Sequence, residues 1–328
     1  MSISIGPVSL RDPVILAPMS GVSDRPFRRI VRRFGAGLVV SEMIASDAML
    51  REVRDELRKA EIDADDAPAV VQLAGWDPAV MAEAARLAVD GGAAVVDINM
   101  GCPAKKVVNK LAGSALMRDE ALAGRIIEAV VGAVPVPVTL KMRTGWDDSD
   151  RNAPRLARIA EQAGVKMITV HGRTRCQMYG GRADWGFIRQ VKDTVGVPVV
   201  ANGDIASPDD AVECLAQSGA DGVMVGRGAY GRPWILRQVA DRLAGCGDTA
   251  APSLAELKAI MVDHLDAMLS HYGVNAGLRN ARKHVGWYSQ GLPDSAGFRQ
   301  AVNNTVEPSR VFAAIDRYFD PMIERRAA

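Results

Sequence analysis

Val95-Val-Asp-Ile-Asn-Met-Gly-Cys-Pro103 is a short, almost continuous apolar run that breaks into a Gly/Pro turn. Such a run is expected for a strand buried on both faces. Before it, residues 77–90 place Val80, Ala84, Leu87 and Ala88 at helical spacing, and after it residues 120–131 do the same. Working outward, the unit recurs. Apolar runs stand at 14–17, 38–41, 69–73, 95–99, 138–141, 167–170, 198–201 and 222–225. Residues 208–217 form another amphipathic stretch, with Ser207 as N-cap and Pro208 at the first helical position. Alternating strands and helices make a parallel sheet. Eight such strands predict an α/β fold closed into a (β/α)8 TIM barrel.

Beyond the barrel, Gly245-Cys-Gly-Asp-Thr-Ala-Ala-Pro252 has the composition of a linker. The rest of the chain is helical in pattern, at 254–270, 278–290 and 307–319. The expected division is a catalytic barrel over 1–245 and a small all-helical domain over 250–328. The composition, 48% hydrophobic and 24% charged, is that of an ordinary globular protein. No apolar run is long enough to cross a bilayer. Residues 1–10 lack the basic start and apolar core of a signal peptide, so a cytoplasmic location is expected.

Four cysteines, Cys102, Cys176, Cys214 and Cys246, form no Cys-x-x-Cys pair, so no metal site is expected. A net charge of +1 does not announce a nucleic-acid partner. Locally the balance shifts. Lys105, Lys106, Lys110 and Arg118 face no acid before Asp119, and residues 139–182 hold nine Lys or Arg against four acids.

A barrel of this kind works at the C-terminal ends of its strands. There the sequence puts Pro18, Met19 and Ser20, then Glu42, then Gln72, then Asn99 and Cys102. Lys141 and Arg143, His171 and Arg173, Asn202-Gly203-Asp204 and Gly226-Arg227-Gly228 complete the circle. Glycines at the seventh and eighth strands let backbone N–H groups approach a phosphate. Lys141 needs an anion to offset its desolvation, and a reduced flavin offers one. Gln72 has both a donor and an acceptor for a heterocycle edge. Cys102 lies on a Gly/Pro loop at the mouth, where a thiol can serve as an acid; Cys176 competes with it, while Cys214 falls in a helix pattern. His171, Arg173 and Arg175 bring an imidazole and two guanidiniums to one loop. Arg279, Lys283 and Trp287 recur at every fourth residue, with Arg282 beside them. The three cations gather near one helix face, and Trp287 is expected to pack.

Ala17-Pro-Met19, Gln72-Leu-Ala-Gly75, Asp97-Ile-Asn-Met-Gly-Cys-Pro103, Thr139-Leu-Lys-Met-Arg-Thr-Gly145, Val170-His-Gly-Arg-Thr-Arg175, Ala201-Asn-Gly-Asp204 and Val225-Gly-Arg227 together resemble the tRNA-dihydrouridine synthases, most of all their bacterial B-type branch. Gly231-Arg-Pro-Trp234 and Arg282-Lys-His-Val-Gly-Trp287 extend the resemblance to the C-terminal part. It implies bound FMN, NADPH as a transient reductant, and reduction of a uridine C5–C6 bond in the tRNA D-loop at the elbow. It also implies Cys102 as proton donor. FMN would be held by Pro18, Met19, Ser20, Gln72, Lys141, His171, Asn202, Gly203, Asp204, Gly226 and Arg227. The RNA would be met by Asn99, Lys105, Arg143, Arg173, Arg175, Arg279, Arg282 and Lys283. A monomer is expected. No Gly-x-Gly-x-x-Gly fingerprint decides between NADPH and NADH. Two other functions compete: a barrel reductase of a free pyrimidine, like a dihydroorotate dehydrogenase, and a non-catalytic RNA-binding or regulatory protein. The helical domain with its basic loops argues against the first. Cys102, Lys141 and His171 gathered at strand ends argue against the second.

Overall fold

The first ten residues make a device that the pattern of apolar runs omits. β1 (Ile3–Ile5) and β2 (Val8–Leu10) pair antiparallel around Gly6-Pro7. Strict alternation puts Ile3, Ile5 and Leu10 on one face, and all three are buried against Ile15, Leu38, Val70, Val95, Met167, Val200 and Met224. The hairpin thus plugs the N-terminal end of the barrel. The computed structural model describes residues 2–63, 67–247 and 249–327; Asp248 of the expected linker lies outside them.

The barrel strands are β3 (Val14–Leu16), β4 (Leu38–Ala45), β5 (Val70–Ala74), β6 (Val95–Met100), β7 (Val138–Arg143), β8 (Met167–His171), β9 (Val199–Asn202) and β10 (Gly222–Val225). They close in sequence order, β10 pairing in parallel with both β3 and β9. The connections carry α1 (Arg25–Arg33), α2 (Ser46–Leu50), α3 (Arg54–Ala60), α4 (Pro78–Asp90), α5 (Lys105–Val108), α6 (Glu120–Ala133), α7 (Ala153–Gln162), α8 (Trp185–Lys192) and α9 (Pro208–Ser218). α10 (Ile235–Ala244) leads out of the barrel. Short polar residues start several of these helices. The side chains of Asp24, Asp77, Asp119, Asp184 and Ser207 each accept the backbone N–H three residues on, which contributes about 1 kcal/mol per cap.

After Gly245 ends α10 in the left-handed conformation, α11 (Leu254–Tyr272) begins with a capping box of Ser253 and Glu256. α12 (Val274–Tyr288), α13 (Ser295–Asn303) and α14 (Pro308–Ala327) complete a separate apolar cluster around Met261, Leu265, Val311 and Phe319. α12 starts four residues before the expected 278. α14 runs past the expected 319, through Pro321. α13 buries only Phe298 and Val302, an apolar pattern too sparse to signal a helix. Among the described residues no helix is long and apolar enough to cross a membrane.

Inside the barrel, polarity rises from plug to mouth. Strand register sets Gln72 beside Asp97 and Asp97 beside Thr139. One step higher Asn99 pairs with Lys141, and above that Arg143 with His171 and His171 with Asn202. The period of two then points Asp97 and Asn99, or Thr139 and Lys141, to the same face.

Candidate active site

Asp97 anchors the site from below. Only 4% exposed, its carboxylate accepts from Thr139 Oγ1 at 2.6 Å and Gln72 Nε2 at 2.7 Å. Burial pushes this carboxyl up, and the two hydrogen bonds pull it back. Gln72 Oε1 in turn accepts from Asn99 Nδ2 at 2.8 Å. Asn99 Oδ1 then accepts the backbone N–H of Gly101 at 3.2 Å and of Cys102 at 2.9 Å. A continuous chain of hydrogen bonds therefore runs from the barrel interior to the cysteine loop. Gln72, expected to face a heterocycle, and Asn99, expected to face RNA, are both links in it.

Cys102 itself is half-buried at the mouth. Its carbonyl accepts from Ser114, through the backbone N–H at 3.1 Å and the hydroxyl at 2.9 Å. Gly113, at φ +61°, permits that approach; a Cβ there would stand 2.8 Å from the same carbonyl oxygen. Arg143 holds the other side. Its Nε donates to Gly101 O at 2.8 Å, and its Nη1 to Thr174 O at 2.8 Å and Met178 O at 2.9 Å. Burial, the main cause, lowers the Arg143 pKa to about 10, which leaves it charged at neutral pH. Arg143 thus joins the cysteine loop to the loop after β8. The residue expected to meet the substrate thus also has a bracing role.

The β7–β10 side of the mouth is tightly cross-linked. Lys141 Nζ donates to Asn202 Oδ1 at 3.1 Å, and Asn202 Nδ2 to Met224 O at 2.7 Å. Burial, reinforced by Arg143, lowers the Lys141 pKa to about 8. His171 is buried, and desolvation followed by the surrounding cations, Lys141 first, holds it well below its usual pKa, hence neutral. Gly203, at φ +119°, passes so close that a Cβ would meet the His171 ring at 2.7 Å. Asp204, a non-glycine at φ +56°, receives Arg173 through both terminal nitrogens at 2.8 and 2.6 Å and Arg227 at 3.2 Å. Burial alone would raise the Asp204 pKa, but the Arg173 guanidinium outweighs it and the net shift is downward.

Arg173 is 1% exposed and also donates to Gly180 O and Gly181 O. It is an internal brace, a role beside the RNA contact expected of it. Arg282 is likewise expected to meet RNA. It is half-buried and ties Thr305 O at 2.7 Å. Arg175 stacks 4.8 Å over Trp146, with Arg118 at the same distance. Lys105 and Arg279 are exposed, and Lys283 reaches inward, its Nζ 3.3 Å from where a Gly21 Cβ would lie. Trp287, expected in the core, is half-buried and stacks on Tyr230 with centroids 4.1 Å apart.

The β3–β6 side is open. A cavity of about 860 Å³ lies between it and the helical domain, reached by Ser20, Glu42, Trp76, Lys106, Tyr272 and Arg279. Met19, half-buried, bridges toward β10, its sulfur 3.8 Å from where a Gly226 Cβ would lie. Three participants escaped the sequence reading. Tyr179, 54% exposed, has Arg143 Cζ 5.7 Å and Arg227 Cζ 5.1 Å from its ring; its loop-tip position among glycines was the available signal. Asp97 stood out as an acid inside an apolar strand. Tyr272 donates to the buried Asp24 at 3.0 Å across the two parts of the chain, and no local pattern reveals that pairing.

Whether this arrangement suits an anionic cofactor turns on Lys141. Its Nζ meets one neutral amide oxygen and, among the described residues, pairs with no carboxylate. A desolvated cation held this way calls for an anion, and the loops of β9 and β10 beside it are where barrels hold phosphate. Residues and fold thus define the class, a (β/α)8 barrel whose mouth suits an anionic ligand. Comparison with known proteins narrows it. The family model described as Dihydrouridine synthase (Dus) matches residues 15–322. A Rickettsia conorii protein named "Probable tRNA-dihydrouridine synthase" is 56% identical, with 98% of each chain aligned. Proteins named "tRNA-dihydrouridine synthase B" from Xanthomonas axonopodis pv. citri and Pseudomonas aeruginosa are 52% and 49% identical, each alignment covering 97% of this chain and 96% of the relative. The chain belongs to the dihydrouridine synthase family, and the likeness to its B-type members is borne out by those last two relatives.

Proposed function

We propose that this protein reduces the C5–C6 double bond of a uridine in the D-loop of tRNA, with FMN bound at the mouth, NADPH as the reductant and Cys102 as the proton donor. The reading rests above all on how the Cys102 loop is held. Asn99, Ser114 and Arg143 grip it from three sides at hydrogen-bond distance. A surface loop with no chemical task has no need of such restraint.

When bound, FMN would supply the hydride that uracil C6 requires. Lys141, Asn202, Gly203, Asp204, Gly226 and Arg227 would hold it, with Pro18, Met19, Ser20, Gln72 and His171 around it. Lys141 offsets negative charge, and neutral His171 can donate or accept a hydrogen bond without adding to that charge. Cys102 would give its proton to uracil C5, the S–H electron pair staying on sulfur as a thiolate beside the charges of Lys141 and Arg143. Removing the base from its stack is the usual route to chemistry on it. Lys105, Arg175, Arg279 and Lys283 supply positive charge around the opening, with residues 250–328 as the RNA-facing domain and 1–245 as the catalytic one. We read the active form as a monomer.

Cys102→Ala tests the assignment. The variant should keep bound flavin, its reduction by NADPH, and tRNA binding. Dihydrouridine formation in a single turnover should fall about 10²–10⁴-fold, while Cys176→Ala stays near wild type. A Cys102→Ala protein that reduces tRNA at the normal rate removes the thiol from the mechanism.

A further inference from the structure

The open side of the mouth holds a feature that cofactor and thiol leave unused. Trp76 follows β5 by two residues, and its indole is 47% exposed to the cavity of about 860 Å³. Among the described residues it has no ring partner and its N–H has no acceptor. Its loop is nevertheless firm, because Asp77 caps α4 through Val80 N at 3.0 Å with proline at the next position. A rigid loop that presents a large aromatic to solvent forgoes burial, a sign of a binding surface.

The charge on the cavity wall points the same way. The acids facing it are engaged. Glu42 accepts from Gly21 N, Glu56 from Lys59 and Ala45 N, and Asp55 pairs with Arg58. Lys106 and Arg279, on opposite walls, have no carboxylate partner among the described residues. The volume stands near the top of the range of about 300–1,000 Å³ for drug-sized ligands, more than a lone pyrimidine ring fills. Lys106 and Val107 of the wall follow Cys102 by a few residues, so the cavity adjoins the thiol loop.

We propose that this cavity is a single-stranded RNA subsite, in which Trp76 stacks a base next in chain to the reduced uridine while Lys106 and Arg279 meet the flanking phosphates. The inference rests on the RNA substrate proposed for the active site. Stacking on an aromatic platform tolerates any base, because every base has a π face, so the subsite would contribute grip and positioning, not sequence choice.

The test compares wild type, Trp76→Ala and Trp76→Phe by tRNA binding to the flavin-loaded protein at several salt concentrations, with NADPH-driven flavin reduction measured alongside. Trp76→Ala should weaken binding roughly 5- to 150-fold with the salt slope unchanged, since a stack releases no counterions. Trp76→Phe should recover most of the loss. Flavin reduction should keep its dependence on NADPH. Wild-type affinity in Trp76→Ala overturns the subsite and leaves the RNA substrate standing. A raised NADPH requirement with tRNA affinity intact assigns the cavity to the dinucleotide and overturns it too. A wild-type protein that binds no tRNA sinks the substrate reading and the subsite together.

Discussion

The two sides of the barrel mouth differ in how much of their charge is already spoken for. On the β7–β10 side, Arg173 and Arg227 converge on Asp204, Lys141 on Asn202, and Arg143 on three backbone carbonyls. On the β3–β6 side, facing α11 and α12, Lys106, Arg279 and Trp76 look into open volume. The first side is pre-organised for one small ligand that stays, since its donors are already fixed before anything binds. The second leaves its binding groups free, which suits a large partner that comes and goes.

That contrast should appear first in stability. Asp204→Ala leaves Arg173, almost wholly buried, without its counter-ion, and should cost on the order of 3 kcal/mol. Arg279→Ala should stay within about 0.5 kcal/mol. Urea unfolding of the two variants measures both, and equal losses would break the comparison.

A ligand-level effect comes next. Lys141→Ala should weaken flavin binding roughly ten- to a hundredfold, the worth of one charge-assisted hydrogen bond. The pH dependence follows from the Lys141 pKa of about 8 in the free protein. The charged form that attracts an anion is present below that value and is lost above it. Flavin affinity should therefore decline as pH rises through about 8, and the decline should vanish in Lys141→Ala. Equilibrium titration of the apoprotein with FMN across that range decides it.

Smaller still is the difference between two neighbouring arginines. Arg279 is exposed, whereas Arg282 is tethered to Thr305. Arg279→Ala should flatten the salt dependence of tRNA binding by about 0.7–0.9 in slope. Arg282→Ala should leave the slope unchanged. The reverse pattern would return Arg282 to the RNA face.

A pH-dependent effect lies at the joint between barrel and helices. Burial raises the Asp24 carboxyl to about 7, with Phe27 N–H and Tyr272 as its hydrogen-bond donors. A raised carboxyl pKa means stability fully present below the ordinary value near 4 and lost as pH climbs through about 7. Asn keeps the cap and carries no charge. Asp24→Asn should therefore match wild type in Tm at acid pH and gain on it by a few degrees at pH 8. A constant difference across the range would show that folding leaves the Asp24 carboxyl at its ordinary value.

Most of the barrel was legible because parallel strands are buried on both faces and announce themselves as apolar runs. All eight lie where the runs stand, within a few residues. The β1–β2 hairpin had equally plain alternation but only three residues per strand, and it lies ahead of the repeating unit. The candidate site was legible as a set of strand-end residues, since the fold alone brings Lys141, His171, Asn202 and Cys102 to one end. Their division of labour was not. Nothing local distinguishes Arg173, buried on Asp204, from Arg175, stacked on Trp146, because burial and pairing are decided by loops far apart in the chain. For the same reason Asn99 read as a substrate contact, although its amide oxygen holds the thiol loop.

The β1–β2 hairpin governs traffic. With Ile3, Ile5 and Leu10 sealing the far end of the barrel, the route to a flavin at the mouth is the mouth. On the proposed function, a dinucleotide and a tRNA would both come to that one end, and the enzyme would use it for each in turn, holding reducing equivalents between visits. Initial-rate plots at varied NADPH and tRNA should then give parallel lines, the signature of a two-stroke engine whose single port admits fuel and load alternately.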